Sequence, residues 1–532
     1  MTPAAVPIFV EEPTATVAAM QQAIAAGATL VELRCDRASQ EITLACVRAA
    51  LGLGTAGRRL HTIVTVRPLW EGGKCDAPEH DRVAMLLAAL GAGADYVDIE
   101  LGALRRGANV WPRFLQAREI GGGHQPKIIV SSHDFSDIPA DIPAQLEALR
   151  HVPGADVLKL VWKARSVADA VTALDLMRRQ TMTGGPPLLA LAMGEFGQPS
   201  RLLGAAFGAP FTFATLPGTA GSAPGQPPLP ELLSLYHWRG QDAHTQIFGV
   251  IGYPLGHSLS PLIHNAGLQQ QAVNAVYVPV LVERGYENFS SAMDALRNTL
   301  PGRIGGLSIT IPHKENALRY IQEHTGKVEP LAGRIGAVNT LLMEPNGAME
   351  GLNSDLPGFL HALCAGMNIR PEELAGRTAA ILGAGGAARA VAAALADQGA
   401  QVVVYNRTHE KADALARSLG GFRGTVTAAP WEALQGDAAK IFVNCTPLGM
   451  APNIDTTPMP AFDFTPRSVV FDTVYNPLET RLLRDAHAAG AVTIPGLEMF
   501  VQQAAVQFER FTGRNAPAGL FRNRATAALE VK

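Results

Sequence analysis

Charge is what this chain has little of. Asp, Glu, Lys and Arg make up 17% of its 532 residues, against about a quarter in an ordinary soluble domain. With hydrophobic residues at 47%, disorder is excluded and thickly covered α/β cores are expected. Neither sign of charge is in excess. The net charge is −3 and the pI is near 6.5, which leaves no basic stripe for a nucleic acid. Long apolar runs are absent too: no window reaches the ~18 apolar residues of a membrane helix. The opening Met1-Thr2-Pro3-Ala4-Ala5-Val6 has no charged n-region and no transit-peptide character. Cysteine is scarce. Cys35, Cys46, Cys75, Cys364 and Cys445 are odd in number and never spaced as CxxC, which argues against a disulfide framework and a zinc site. A reduced, cytoplasmic compartment, small-molecule substrates and no bound metal are the expectations.

The length suggests roughly three domains of ordinary size. The strongest punctuation is the Pro/Gly-rich run from Pro217 to Pro230. It divides the chain near residue 240, into a unit over 1–228, a linker over 229–245 and a second unit. In the first unit, short β-like runs recur at 8–10, 30–34, 62–67, 96–100, 128–132, 157–161, 188–193 and 211–214. Helical periodicity fills most gaps, as where Val17, Met20 and Ile24 share a face before Gly27. Eight strand–helix repeats predict a (β/α)₈ barrel, with a doubly wound sheet as the alternative. Polar residues gathered near the C-terminal strand ends favour the barrel: Glu32, Arg34, Arg67, Asp98, Glu100, His133, Lys159 and Met193. A barrel brings all those ends to one mouth.

In the second half, Ala380-Ile381-Leu382-Gly383-Ala384-Gly385-Gly386-Ala387 reads as a strand, a Gly-rich turn and a helix start. A second strand, Val402-Val403-Val404-Tyr405, follows about 20 residues on and ends in Asn406-Arg407-Thr408. That is a dinucleotide fingerprint in its proper context, a Rossmann domain over 358–496. An acidic residue at the second strand's end would take the ribose hydroxyl of NAD. An amide, a guanidinium and a hydroxyl suit a 2′-phosphate, so NADP is expected.

Two lysines carry the chemistry. Lys159 sits in the alternating run Asp156-Val157-Leu158-Lys159-Leu160-Val161-Trp162, and Lys314 follows a strand in Ser308-Ile309-Thr310-Ile311-Pro312-His313-Lys314. A lysine on a buried strand costs several kcal/mol unless it is paired or neutral. Lys163 shares the parity of Lys159 but lies beyond the expected strand end, which disfavours it as a nucleophile.

In order along the first half come Val31-Glu32-Leu33-Arg34-Cys35-Asp36, Thr65-Val66-Arg67 with Glu71-Gly72-Gly73, and Ser132-His133-Asp134-Phe135. Lys159, Met193-Gly194, Ser200-Arg201, Phe213 and Ser222-Ala223-Pro224-Gly225-Gln226 follow. Together they resemble type I 3-dehydroquinate dehydratase. The resemblance implies a Schiff base on Lys159, a proton shuttle at His133 and an orienting carboxyl at Glu71. It further implies a carboxylate clamp at Arg201 and substrate contacts from Glu32, Arg34, Arg67, Met193, Phe213, Ser222 and Gln226. Arg34, Arg67 and Arg201 near the lysine, with desolvation, would favour the neutral amine that attacks a ketone.

The chain from Phe248 to about Phe521 resembles shikimate dehydrogenase. The carrying motifs are Gly256-His257-Ser258-Leu259-Ser260-Pro261, Thr310 with Lys314, and Gly336-Ala337-Val338-Asn339-Thr340. They continue with Gly351-Leu352-Asn353-Ser354-Asp355, Asp472-Thr473-Val474-Tyr475 and Gln502-Gln503. The resemblance implies a substrate domain over 246–357, completed by 497–532, with Lys314 and Asp355 as the acid–base pair. Ser258, Ser260, Thr310, Asn339, Tyr475 and Gln503 would bind substrate, and Thr446 and Gly496 would lie near the nicotinamide. Ser308 stands where many relatives have Asn. A bifunctional enzyme of successive steps is the reading, with a quinate-preferring dehydrogenase or a non-catalytic metabolite sensor as alternatives.

Overall fold

The computed structural model describes residues 2–55, 58–107, 109–120, 125–436, 439–460 and 462–530. It forms two compact units: residues 1–247 with 274–282 and 291–303, and residues 248–273 with 283–290 and 304–532.

Eight parallel strands build the first unit. They are Ala4–Phe9, Leu30–Arg34, His61–Thr65, Tyr96–Glu100, Lys127–Asp134, Val157–Lys163, Leu188–Met193 and Thr212–Phe213. They are hydrogen-bonded in chain order, except that Thr212–Phe213 lies outside Ala4–Phe9. Leu30–Arg34 and Leu188–Met193 are buried at every residue, as expected of a parallel sheet covered on both faces. Leu191 and Met193 from one sheet edge line the same cavity as Phe213 from the other. The sheet is therefore curled into a nearly closed barrel.

Two expectations need correction. Lys163 does not lie beyond its strand: Val157–Lys163 runs two residues further than expected. Lys163 is still exposed and stays outside the cavity lined by Lys159 and Val161. Residues 229–245 are not a free linker either. Leu229 and Leu232 of the helix Leu229–Ser234 are buried, as is Trp238. Trp238 Nε1 donates to the Thr2 carbonyl at 3.0 Å, and Gln241 Nε2 to the Leu202 carbonyl at 2.9 Å. These apolar side chains fasten the segment onto the first unit, and the Pro/Gly run becomes a loop that supplies Ser222 and Gln226 to the barrel cavity.

The second unit has two sheets. In the first, Gln246–Gly252, Ile304–Ile309, Thr340–Met343, Met349–Leu352 and Lys327–Val328 lie in that order. The antiparallel pairing of Ile304–Ile309 with Thr340–Met343 places Ser308 opposite Thr340. In the second, six parallel strands run in the order Thr425–Ala429, Gln401–Tyr405, Thr378–Leu382, Ile441–Asn444, Val469–Asp472 and Val492–Ile494. Numbered along the chain that is 3-2-1-4-5-6, a Rossmann sheet whose direction of winding reverses beside Thr378–Leu382. The alanine-rich helix Gly386–Asp397 packs closely on it, burying Val391, Ala392, Ala393 and Leu395.

Candidate active sites

The barrel holds a small cavity that opens to solvent. Its lining includes Glu32, Arg34, Arg67, His133, Lys159 and Met193, with Arg201, Phe213, Ser222 and Gln226. All these residues were expected together. Glu71 stands behind the wall, its Oε2 2.9 Å from His133 Nδ1. The short helix Leu69–Glu71 ends at Gly72 with φ +74°, so the loop doubles back. A side chain at Gly73 would strike the Arg67 carbonyl at 2.0 Å. Those glycines bring Glu71 under the imidazole.

Burial, reinforced by Glu100 and Asp98, pushes the Glu71 carboxyl up to about 8 against the pull of Arg67. Burial, with Arg67 and Lys159, holds His133 well below its usual range. Both shifts favour the uncharged forms, a neutral imidazole and a protonated carboxyl. Phe135 stacks on the same ring, with centroids 6.0 Å apart.

Arg34, Arg67 and Arg201 line the same cavity, but Lys159 Nζ pairs with a carboxylate. It donates to Asp98 Oδ2 at 2.8 Å and lies 4.8 Å from the centre of the Phe213 ring. Arg67 pairs with Asp98 at 2.9 Å and Glu100 at 2.6 Å, and these two cations hold the Asp98 carboxyl far below its ordinary value despite burial. Asp98 had been noticed only as a strand-end polar residue, and its equal parity with Glu100 was the available signal.

Asp36 was missed as well. Its carboxylate accepts from Arg34 Nη2 at 2.8 Å and from the backbone N–H groups of Arg67 and Lys74, each at 3.0 Å. It ties a cavity-lining arginine to the loop carrying Glu71. Arg201 is the outlier. It is buried, its Nε and Nη1 have no partner, and burial lowers it to about 10. A guanidinium left this way is built to receive an anion.

The second unit holds a larger cavity, also open to solvent. Lys314 starts the helix Lys314–Glu323 and Asp355 starts the helix Asp355–Met367. Their side chains meet at 2.5 Å on the cavity wall. Ser258, Ser260, Thr310, Asn339, Tyr475, Gln503 and Gly496 line the same space. Asn339 is fixed: its Oδ1 accepts from Ser354 N at 2.7 Å and its Nδ2 donates to Ser354 Oγ at 3.0 Å. Tyr475 stacks on Phe500 at 4.9 Å, and burial raises its phenol.

Gln507, one turn beyond Gln503, went unrecognised in the sequence. It accepts from Ser308 Oγ at 2.8 Å and donates to Thr340 Oγ1 at 3.0 Å. The serine found in place of the common Asn is therefore a partner of Gln507. The i, i+4 spacing from Gln503 was the signal that could have found it.

The dinucleotide turn has the shape its glycines predict. Gly383 has φ +110°, and a Cβ there would lie 3.0 Å from the Cys445 carbonyl. Nothing lies within 4 Å of a Cβ built on Gly385 or Gly386, and no side chain caps the helix Gly386–Asp397. Its first N–H groups are left for an anion. Ala384 belongs to the same turn, and Ala387 reaches the substrate cavity. Asn406 Nδ2 donates to the Thr408 carbonyl at 2.8 Å, holding the strand-end turn while Arg407 and Thr408 stay exposed. Thr446 approaches Gly383, and a Cβ on Gly496 would meet the Thr473 and Val474 carbonyls at 2.6 Å. Among the described residues no group of three His, Cys, Asp or Glu could hold a metal, and no helix is long and apolar enough to cross a membrane.

The family model for type I 3-dehydroquinase matches residues 4–243. The shikimate dehydrogenase substrate binding domain matches 250–341, shikimate / quinate 5-dehydrogenase 366–440, and the shikimate 5′-dehydrogenase C-terminal domain 496–526. A bifunctional 3-dehydroquinate dehydratase/shikimate dehydrogenase of Arabidopsis thaliana, described as chloroplastic, is 36% identical over 510 residues, 93% of this chain and 79% of that protein. The chain belongs to this bifunctional family. Its second half alone is similar to the shikimate dehydrogenase (NADP(+)) of Methanosarcina mazei, 41% identical over 297 residues, 54% of this chain and 99% of that protein. The shikimate 5-dehydrogenase of Thermus thermophilus, solved with NADP(H) and shikimate, is 37% identical, covers 54% of this chain and 100% of its own, and has a TM-score of 0.47. Within the bifunctional family, the barrel carries the lyase site and the Rossmann-containing unit the oxidoreductase site.

Proposed function

We propose that the barrel dehydrates 3-dehydroquinate to 3-dehydroshikimate and that the second unit reduces 3-dehydroshikimate to shikimate with NADPH. For the first step, the observation that carries the reading is an uncharged His133 sharing one cavity with the buried Lys159 and an Arg201 guanidinium whose Nε and Nη1 have no partner. Arg201 takes the substrate carboxylate bidentately. Glu32, Arg34, Ser222 and Gln226 hold hydroxyls, and Arg67, Met193 and Phe213 shape the wall. Lys159 gives up its proton to attack the ketone, and that proton returns to the departing hydroxyl, so that water leaves and an iminium forms. His133 removes the α-proton, the electron pair moves towards the imine nitrogen, and the same histidine protonates the departing hydroxyl. Hydrolysis frees the lysine. Glu71 orients the imidazole throughout.

For the second step, Ser258 and Ser260 bind the carboxylate, while Thr310, Asn339, Tyr475 and Gln503 position the ring. The Lys314–Asp355 pair gives or takes the proton at the reacting oxygen. The residues at Gly383, Ala384, Gly385, Gly386 and Ala387 fit a pyrophosphate, and Asn406, Arg407 and Thr408 fit a 2′-phosphate. Thr446 and Gly496 would border the nicotinamide. NADP, when bound, supplies the hydride carrier. The presence of both serines and Thr310 supports shikimate over quinate. Five free cysteines support a reducing, cytoplasmic location.

Incubating the pure chain with 3-dehydroquinate and NADPH tests both steps. Enone absorbance should rise and NADPH should be consumed. Silence in both channels would make the protein a metabolite sensor, and a higher kcat/KM for quinate than for shikimate would reassign the dehydrogenase.

A further inference from the structure

Asp472 ends the strand Val469–Asp472 directly beside Asn444, which ends the strand Ile441–Asn444. Both lie at the carboxyl end of the Rossmann sheet, where ligands of such sheets bind, and both are fully buried. Asp472 Oδ1 accepts from Asn444 Nδ2 at 2.9 Å and from the Val474 N–H at 3.0 Å. Its Oδ2 accepts from Thr480 Oγ1 at 2.6 Å. Asn444 turns its own Oδ1 the other way, to the Thr446 N–H at 2.9 Å and Thr446 Oγ1 at 2.7 Å, while its Nδ2 also reaches the Leu448 carbonyl at 3.2 Å.

Two loops are joined through this one carboxylate. Residues 445–450 carry Thr446, beside the dinucleotide turn, and Met450, on the cavity wall. Residues 473–480 carry Thr473 and Tyr475, also on that wall. We propose that Asp472 is a positioning residue for hydride transfer, fixing the spacing between the cofactor-side loop at Thr446 and the substrate-side loop at Tyr475. This rests on the reading of the second unit as an NADP-dependent shikimate dehydrogenase.

The choice of a carboxylate follows from its partners. All three offer donors, and a carboxylate accepts from all of them, whereas an amide would turn its NH₂ on one. Among the described residues no salt-bridge partner stands by this carboxyl, and burial pushes it up to about 6. That is a cost which mere strand packing would not require. Neither Asp472 nor Asn444 lines the cavity, so both act through the loops.

The test uses Asp472→Asn in the full chain, with dehydratase activity as an internal control of folding. The NADP Kd, read by fluorescence titration, should stay within about twofold of the parent. The kcat for shikimate oxidation should fall about 10–100-fold, the scale expected when reacting groups are misplaced by an ångström. The isotope effect with shikimate deuterated at the carbinol carbon should rise as hydride transfer becomes limiting. Backbone amides at 473–480 should exchange faster in the ligand-free protein. Thr480→Val, which removes one of the three donors, should show the same pattern more weakly and decides the matter if the first variant does not fold. Parental kcat in the folded variants, or a loss confined to the NADP Kd, overturns the proposal. A parent chain inert towards shikimate overturns the dehydrogenase reading itself.

Discussion

Lys159 Nζ and Asp98 Oδ2 lie 2.8 Å apart inside the barrel, where the side chains are 5% and 0% exposed. Breaking such a pair from one side leaves a buried charge uncompensated, at about 3–5 kcal/mol. Asp98→Asn should destabilise the barrel by that order and lower the dehydratase rate. Adding Lys159→Met should restore part of the stability, because the orphaned ammonium is gone. Urea unfolding of the parent and these two variants measures this. A double variant no more stable than Asp98→Asn would place the cost on Arg67, the other cation on Asp98.

Borohydride distinguishes the two lysines of the strand Val157–Lys163. With 3-dehydroquinate present, reduction should fix a covalent adduct on Lys159, since Lys163 is exposed and outside the cavity. Peptide mass spectrometry reads the position. An adduct on Lys163 reverses the choice of nucleophile, and no adduct removes the imine from the mechanism.

These two lysines also mark how far the sequence could be read. Period-2 alternation placed Lys159 on the inner face, and the strand count with polar strand ends chose the barrel. Both follow from local spacing. Partners such as Asp98, 61 residues away, follow from the order of strands around the barrel, and the sequence offered Asp98 only as one polar strand end among several. The arginines expected around the amine were present, but Arg67 is turned to Asp98 and Glu100. Gln507 and Asp472 escaped for a similar reason, since their partners lie on other strands and loops. The segment 229–245 misled because its proline and glycine neighbours outweighed Leu229, Leu232 and Trp238, the residues that bury it.

Glu71 gives the barrel a pH signature. Its carboxyl rises from about 4.5 to about 8 on folding, so between those values the folded chain binds the proton that the unfolded chain releases. Stability from this group is fully present below about pH 4.5 and is lost as pH climbs through 8. Glu71→Gln keeps the shape without the ionisation. The stability difference between parent and variant, measured from about pH 5 to about pH 9, should move in favour of the variant as pH rises. A constant difference across that range would mean that Glu71 is ionised in the folded barrel.

Cofactor choice is assigned to Arg407, which is exposed beside the Asn406–Thr408 turn. A charge-assisted hydrogen bond to a 2′-phosphate is worth about 1.5–3 kcal/mol. Arg407→Ala should therefore raise the KM for NADP by roughly 10–150-fold on that energy and leave the KM for NAD nearly unchanged. Steady-state shikimate oxidation with each cofactor makes the comparison. An equal loss with both would detach Arg407 from the phosphate.

Lys159 and Lys314 each have their carboxylate and their cavity within their own unit, so damage to one site should leave the other working. Lys159→Ala should abolish dehydration, because among the described residues no other amine lines that cavity, and leave shikimate oxidation near the parental rate. Lys314→Ala should do the reverse, slowing hydride transfer by about 10²–10⁴-fold, the usual worth of a placed acid–base group. Asp355 would remain at the reacting oxygen, which is why the second loss is finite while the first is complete. Mixing the two variants should then restore conversion of 3-dehydroquinate to shikimate, with a lag that shortens as protein concentration rises, since the intermediate must leave one molecule and find another. Loss of both activities in either single variant would mean that the two units depend on each other for their working geometry.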